Sequence, residues 1–274
     1  MPSLSEQELT EIAGFIKERY GVNLAAKRML VESRLGCYMR SKGFNTYGEY
    51  FEYVKNDHSG AEMANLINRI TTNHTFFLRE SDHIEFLIKE VFPWIESRPD
   101  AKDVRIWCAG CATGEEPYGI AIYILEHLAS RGLSHRTADT TILASDISER
   151  ALAFASKGVY PQENLMAIPP AWRAKYFVDL FDGNYRVTPE LRSNVAFKKI
   201  NLLDSFAAKK PFHTVFCRNV MIYFDADTRA SLVERLYDIL TPGGYLFIGH
   251  SESLTSFPSG FKYICPSVYR RPLD

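Results

Sequence analysis

Residues Trp107 to Tyr118 read W-C-A-G-C-A-T-G-E-E-P-Y, and here the chain concentrates residue types able to hold a nucleoside. An apolar run, Val104-Arg105-Ile106-Trp107-Cys108, leads into a turn holding Gly110 and Gly114. Pro117, Ile120, Ala121, Ile124, Leu125 and Leu128 then recur at helical spacing. A strand, a glycine turn and a helix start let backbone approach a nucleotide-like ligand closely. The Glu115-Glu116 pair speaks to that ligand's charge. Two carboxylates suit the positive end of a helix, but they repel a pyrophosphate. A ligand with ribose hydroxyls and a positive charge fits better, and S-adenosylmethionine (AdoMet) has both.

Further candidate groups follow. Asp146 closes the next apolar run, Leu143-Ala144-Ser145-Asp146, where a carboxylate can accept both ribose hydroxyls or cap the following helix; NAD and AdoMet proteins share that feature. Arg218-Asn219 come directly after the apolar stretch Thr214–Cys217, at the carboxyl edge expected of a ligand-binding sheet. Leu240-Thr241-Pro242-Gly243-Gly244-Tyr245-Leu246 reads as the helix-to-strand turn typical of AdoMet-dependent methyltransferases. Thr71-Thr72-Asn73-His74-Thr75-Phe76-Phe77-Leu78-Arg79-Glu80 sets hydroxyls, an amide and a guanidinium among aromatics on a connector, as a ligand contact or as a helix cap with a hydrophobic hinge. His250, ending a strand, reads as a hydrogen-bonded structural residue before a catalytic one.

The elements that must position these groups fall into two grammars. Ser5-x-x-Glu8 is a capping box, and Leu9, Ile12, Phe15, Ile16 and Tyr20 follow at helical spacing up to Gly21. Further helices are expected over 25–41, 47–55 and 61–70, giving a small bundle. From about residue 100 strands and helices alternate, with strands expected near 104–108, 141–145, 195–200, 214–217 and 245–249, and a final pair near 261–264 and 268–271. Helices are expected over 117–130, 149–156 and 227–240. Buried strands separated by helices predict a doubly wound parallel sheet. The stretch from about 160 to 192, rich in Pro, Asn and aromatics, reads as a small insertion. The expected organisation is a helical domain over 1–75, a linker or connecting helix over 76–99 and an AdoMet-binding domain over 100–274.

Composition narrows the function classes. The 274 residues are 46% apolar and 24% charged, with a net charge of -1, which argues against general binding of nucleic acid or another polyanion. No apolar run reaches the roughly 20 residues that span a bilayer, and the N-terminus lacks a secretory pattern. Five cysteines without framework spacing favour reduced thiols in a cytoplasmic compartment. Cys108-x-x-Cys111 lacks the second Cys/His pair of a zinc site and lies inside the glycine turn, so packing is the favoured reading and no metal is expected.

Six ordered blocks carry a resemblance: T-T-N-x-T-x-x-x-R-E (71–80), A-T-G-E-E-P-Y (112–118), A-S-D-I (144–147), N-L-L (201–203), C-R-N-V-M-I-Y-F (217–224) and G-H-S-E (249–252). Together they resemble the CheR family, the bacterial chemotaxis receptor methyltransferases. The resemblance implies an α/β fold: an AdoMet-dependent methyltransferase (Rossmann-like) doubly wound sheet with an N-terminal all-α domain and a small inserted antiparallel β subdomain. It implies methyl transfer from AdoMet, leaving S-adenosylhomocysteine, to glutamate side chains on the cytoplasmic helices of a chemoreceptor. By matching position the AdoMet contacts are Asn73, Thr75, Arg79, Glu116, Asp146, Asn201, Leu202, Arg218 and Asn219. Arg79 and Tyr223 are expected to orient the reacting groups, while Glu115 favours the helix start. Alternatives are an AdoMet-binding interaction module without turnover, and a methyltransferase acting on a non-chemotaxis receptor-like protein.

The resemblance also implies a basic second helix that docks the acidic receptor. Lys27, Arg34 and Arg40 are the docking candidates, but Gly36-Cys37-Tyr38 stand where basic residues are common. Residues 1–75 hold 9 Lys/Arg and 9 Asp/Glu, so no net positive field steers a partner. The segment from Phe177 to Val187 is short, with only Gly183, resembling family members that act without a receptor-tail tether. No direct membrane insertion is expected.

Overall fold

The computed structural model describes residues 3–133, 139–206, 208–255 and 257–273. Four helices open the chain: α1 (Glu6–Tyr20), α2 (Arg28–Ser41), α3 (Tyr47–Asn56) and α4 (Ala61–Ile70). Ser5 and Glu8 form the expected capping box and Gly21 ends α1 in a left-handed conformation. Thr46 and Glu49 repeat the box on α3. Helix α2 starts three residues later than expected, at Arg28, because the Asn23 side chain accepts from the Ala25 amide and holds that segment in a turn. Leu9, Ile12 and Ile16 of α1 meet Val31, Leu35, Phe51 and Leu66 in one apolar cluster.

A bent helical segment leads to the sheet: α5 (Ser81–Phe86), a widened π turn (Leu87–Val91) and α6 (Phe92–Glu96). Pro93, which cannot donate a backbone hydrogen bond, lies just beyond the widened turn. The main strands are β1 (Asp103–Ala109), β2 (Asp139–Asp146), β6 (Val195–Lys199), β7 (Phe212–Cys217), β8 (Leu240–Ile248), β9 (Lys262–Cys265) and β10 (Val268–Arg270). Their order is β6-β2-β1-β7-β8-β10-β9. The first five are parallel, and β10 and β9, the expected final pair, add an antiparallel edge, so the doubly wound sheet is mixed. Helices α7 (Glu115–Ser130), α8 (Glu149–Lys157) and α11 (Ala226–Ile239) are the crossovers. Buried side chains from α7 and α11 pack in separate clusters on the two faces of the sheet.

The Pro242-Gly243-Gly244 sequence differs from its reading as a turn outside the strand. It lies inside β8, where the pairing register jumps from Phe212↔Leu240 to Thr214↔Tyr245. The extra residues form a bulge. Gly243 is left-handed there, and an added Cβ would stand 3.0 Å from the Trp94 ring, so only glycine suits the position.

The insertion is a second sheet, β3 (Val159–Pro161), β5 (Asn184–Val187) and β4 (Phe177–Asp179), all antiparallel, with short helices α9 (Pro170–Tyr176) and α10 (Pro189–Ser193). Tyr160 anchors it: fully buried, its hydroxyl donates to the Thr113 carbonyl at 2.7 Å, and Phe77 packs edge-on at 5.0 Å. The insertion therefore braces the glycine turn from outside. Among the described residues no helix is long and apolar enough to cross a membrane.

Strand order reverses between β1 and β7, since β2 and β6 lie to one side and β8 to the other. Loops leaving neighbouring strands at such a point diverge and open a crevice at the carboxyl edge. The glycine turn follows β1 and Arg218-Asn219 follow β7, so the fold alone directs both blocks to one place.

Behind that crevice, His83 of α5 is buried against Phe247 and His250, with neither ring nitrogen hydrogen-bonded. Burial, reinforced by the Arg218 guanidinium, lowers its pKa to about 4. In the unfolded chain the ordinary value near 6.5 applies, so between those values the unfolded state binds the proton and the native state does not. Stability therefore falls as pH drops through this window. From pH 7.5 to pH 5 this group should remove about 2 kcal/mol of unfolding free energy. Urea denaturation of the parent and of His83→Phe at both pH values checks it, since the substitution should flatten the slope by about that amount.

Candidate active site

The turn after β1 is closed by its own backbone. Gly110 and Cys111 amides both donate to the Ser145 carbonyl at 2.8 Å, and the Ala112 amide donates to Asp146 Oδ2 at 2.8 Å. These donors face β2, so the Gly110, Cys111 and Ala112 amides are not turned toward a ligand. The turn is built instead for close approach. At Gly110, φ is +85° and an added Cβ would stand 2.3 Å from a Val220 methyl, so the loops after β1 and β7 meet there.

Asp146 is buried at the end of β2, and its Oδ1 accepts from the Ser148 amide at 2.9 Å. Burial raises its pKa, while these amide donors pull the other way. It is not the cap of α8. Ser148 is the N-cap, its hydroxyl accepting from the Ala151 amide, which removes the capping alternative for Asp146. Asn68 and Asn73 both reach the Ser148 hydroxyl, at 2.7 and 3.3 Å, and so fasten the 71–80 connector to the sheet edge.

Arg218 is the centre of the charged wall, with its side chain 2% exposed. Its Nε donates to Glu80 Oε2 at 3.2 Å, Nη1 lies 3.3 Å from Glu116 Oε2, and Nη2 donates to the Arg79 carbonyl. Glu116 is partly buried on the first turn of α7, and desolvation raises its pKa against the opposing pull of Arg218. Its neighbour Glu115 is fully buried, accepts from the Thr113 hydroxyl at 2.7 Å, and does not line the cavity. Arg79 reaches the His74 carbonyl at 3.3 Å and lies over the Phe76 ring.

Glu252 builds the loop after β7. Its carboxylate accepts amide hydrogen bonds from Gly249 (2.6 Å), Asn219 (2.9 Å) and Ile222 (3.2 Å). Burial raises its pKa and the amide donors lower it. Asn219 is left-handed at φ +59°, and an added Cβ on Gly249 would meet the Asn219 side chain at 2.3 Å. The short turn Met221–Tyr223 that follows presents Tyr223.

These loops enclose a cavity of about 270 Å³, close to the lower end for small-molecule sites. All ten sequence-expected residues line it: Asn73, Thr75, Arg79, Glu116, Asp146, Asn201, Leu202, Arg218, Asn219 and Tyr223. Tyr20, Val22, Ile70 and Thr71 of the helical region complete the wall. Beside the Asn68–Ser148 bond, further contacts hold that region on: the Asn23 amide donates to the Tyr223 carbonyl at 2.8 Å, Asn201 Nδ2 donates to the Arg19 carbonyl at 2.8 Å, and Lys17 pairs with Asp225 at 2.7 Å.

The CheR methyltransferase SAM-binding domain matches residues 73–269, and the CheR methyltransferase all-alpha domain matches residues 7–71. The chain belongs to the CheR family. A chemotaxis protein methyltransferase of Borreliella burgdorferi is 36% identical over 98% of this chain and 95% of its own length. Its counterpart from Klebsiella aerogenes is 36% identical over 97% and 90%, and that from Escherichia coli 34% identical over 99% and 93%. Like other CheR proteins, the chain is a methyltransferase that uses AdoMet.

The docking candidates are not brought together. Arg34 turns inward and caps α4, donating to the carbonyls of Arg69 (3.2 Å), Ile70 (3.3 Å) and Thr71 (2.6 Å). Lys27 lies 5.2 Å over the Tyr223 ring, and Arg40 is exposed, bonded back to the Gly36 carbonyl. His250 stands outside the cavity, edge-on to His83 and 3.2 Å from Asp82. Cys108, Cys111 and Cys217 are free and buried, and burial pushes their thiols well up, so they are poor nucleophiles.

Sequence reasoning missed Glu80 and Glu252 as structural anchors, although both lie in blocks it singled out. Their signal was a lone carboxylate next to a ligand-facing motif. Glu252→Gln should lose the charge-assisted acceptance at the Asn219 and Gly249 amides, about 1.5–3 kcal/mol. Calorimetry should then show AdoMet affinity reduced by roughly tenfold or more, and unchanged affinity would remove Glu252 from this role.

Proposed function

We propose that this chain transfers the methyl group of AdoMet to glutamate side-chain carboxylates on the helical cytoplasmic region of a chemoreceptor, acting in the cytoplasm. The observation that carries the reading is the convergence of the ten residues, from loops distant in sequence, on one cavity roofed by the helical region. The names of the chemotaxis methyltransferase relatives supply the substrate class.

The residues present suit AdoMet. Asp146 and Glu116 offer carboxylates to ribose hydroxyls and to positive charge, Arg79 and Arg218 face a carboxylate, and Leu202, Ile147 and Val220 line the wall with apolar surface. AdoMet supplies a methyl group activated on a sulfonium. The protein's part is placement. A glutamate carboxylate with an ordinary pKa near 4.3 is ionised at neutral pH, so no side chain has to remove a proton. Attack is an in-line displacement in which opposite charges disappear, and excluding water favours it. The Arg79 guanidinium orients the incoming carboxylate, and Tyr223 aligns the methyl donor. Alignment of this kind can supply much of the rate. The turn joining β4 to β5 is only Leu180-Phe181-Asp182-Gly183, which supports methylation without a tether to a receptor tail. Lys27 and Arg40 remain as docking cations, with Arg34 acting through the end of α4.

Incubation with AdoMet and receptor fragments from the same organism should add one methylene mass per modified glutamate, reversed by mild base. Absence of that increment on every receptor tested would sink the proposal. Tyr223→Phe should lower kcat by roughly tenfold to a hundredfold while the thermal midpoint stays unchanged. The rate should be flat from pH 7 to 8.5, because no base titrates there.

A further inference from the structure

Two histidines meet outside the AdoMet cavity. His83 of α5 and His250, just past the end of β8, stand edge to face with ring centroids 4.8 Å apart. The stretch entering α5 adds two carboxylates. Glu80 Oε2 lies 3.7 Å from His83 Nδ1, and Asp82 Oδ2 lies 3.2 Å from His250 Nε2. One ligand atom each from Glu80, His83 and His250 fall within 4.8 Å of one another, and none of the three residues lines the cavity.

His83 is the observation that asks for a ligand. Its side chain is 1% exposed, yet neither ring nitrogen has a hydrogen-bond partner. Buried polar atoms are normally satisfied, and a ring kept only to pack against Phe247 needs no nitrogens. His250 is already oriented: a carboxylate on one imidazole nitrogen fixes the tautomer that leaves the other lone pair for a metal. Imidazole nitrogens beside a carboxylate suit zinc and similar transition ions, whereas magnesium and calcium take oxygen ligands. Ligand atoms around a tetrahedral zinc stand roughly 3.3–3.5 Å apart, and the half-exposed His250 side chain has room to close that difference.

We infer that Glu80, His83 and His250 form a site for a divalent transition-metal ion, with Asp82 orienting His250. The inference does not depend on which protein is methylated, and the ion takes no part in methyl transfer. It bears on AdoMet through Glu80, whose Oε2 also accepts from Arg218 Nε at 3.2 Å. An ion drawing on that carboxylate weakens the pair and sets a second positive charge near the guanidinium. Arg218 holds the connector against the cavity, so the ion and AdoMet oppose each other, each weakening the other by the same factor.

The test uses the full chain, stripped of metal and titrated with Zn²⁺ in competition with a chromophoric chelator. One zinc should bind per chain, and Co²⁺ in its place should show the strong visible absorption of a tetrahedral site. His83→Phe and His250→Ala should each weaken zinc binding by roughly tenfold or more and abolish the cobalt bands. His250→Ala alters a half-exposed side chain and should keep the parent thermal midpoint, so it decides the matter even if His83→Phe does not fold. Cys37→Ser and His58→Ala, at an exposed thiol and an exposed imidazole elsewhere, should leave zinc affinity unchanged. Calorimetry at saturating Zn²⁺ should show AdoMet bound roughly fivefold or more weakly, an effect that His250→Ala removes. Equal zinc affinity in the parent and in His250→Ala overturns the site, as does binding that is lost in Cys37→Ser or His58→Ala. AdoMet affinity indifferent to bound zinc overturns the link through Glu80.

Discussion

The site depends on one buried cation. Arg218 leaves the end of β7 and holds three otherwise unrelated pieces: Glu80 and the Arg79 carbonyl on the connector, and Glu116 at the start of α7. Each carboxylate is largely withdrawn from water, so each would be costly without the guanidinium. The planar fork of arginine reaches several acceptors at once, and a lysine ammonium lacks that geometry. The connector, the glycine turn and the loop after β7 are thereby locked into one register. The ligand cavity is the space left between them.

That register is held against local backbone preference. Leu78, Glu80, Ala112 and Asn219 all have positive φ without being glycine, and all lie on loops bordering the cavity. Such conformations persist where surrounding contacts over-determine them. Here the contacts are identifiable: Ala112 is held by Asp146, Asn219 by Glu252 and Glu80 by Arg218. Asp146, Glu252 and the Arg218–Glu80 pair thus fasten the strained loops around the cavity.

This division explains what the sequence could and could not show. The capping box at Ser5, the strand–turn–helix of 103–130 and the alternating α/β pattern are local signals, and they were legible to within a few residues. The blocks lining the cavity were legible because their polar residues sit beside buried strands, where packing alone does not call for them. Less visible were devices that depend on distant partners. The Pro-Gly-Gly segment looked like a free turn, because its pairing with β7 and its approach to Trp94 have no local signature. Arg34 looked like a surface cation, although its partners are carbonyls some 35 residues away at the end of α4. Glu252 serves amides on two separate segments, so spacing within either segment does not reveal it.

The helical region is more than an appendage to an otherwise complete catalytic domain. Tyr20, Val22, Ile70 and Thr71 supply part of the cavity wall, and the Asn23 amide bonds the carbonyl of Tyr223, the residue assigned to methyl alignment. A Cβ on Gly21 would meet the Phe224 ring at 2.9 Å, so the two regions approach as closely there as a packed interior allows. Helix α2 follows a few residues after this contact, and its Arg34 donates to the hydroxyl of Thr72 on the cavity wall. The short stretch from Gly21 to Lys27 thus ties the helical region to the loop that presents Tyr223, through the Gly21 approach to Phe224, the Asn23 amide and Lys27 over the Tyr223 ring.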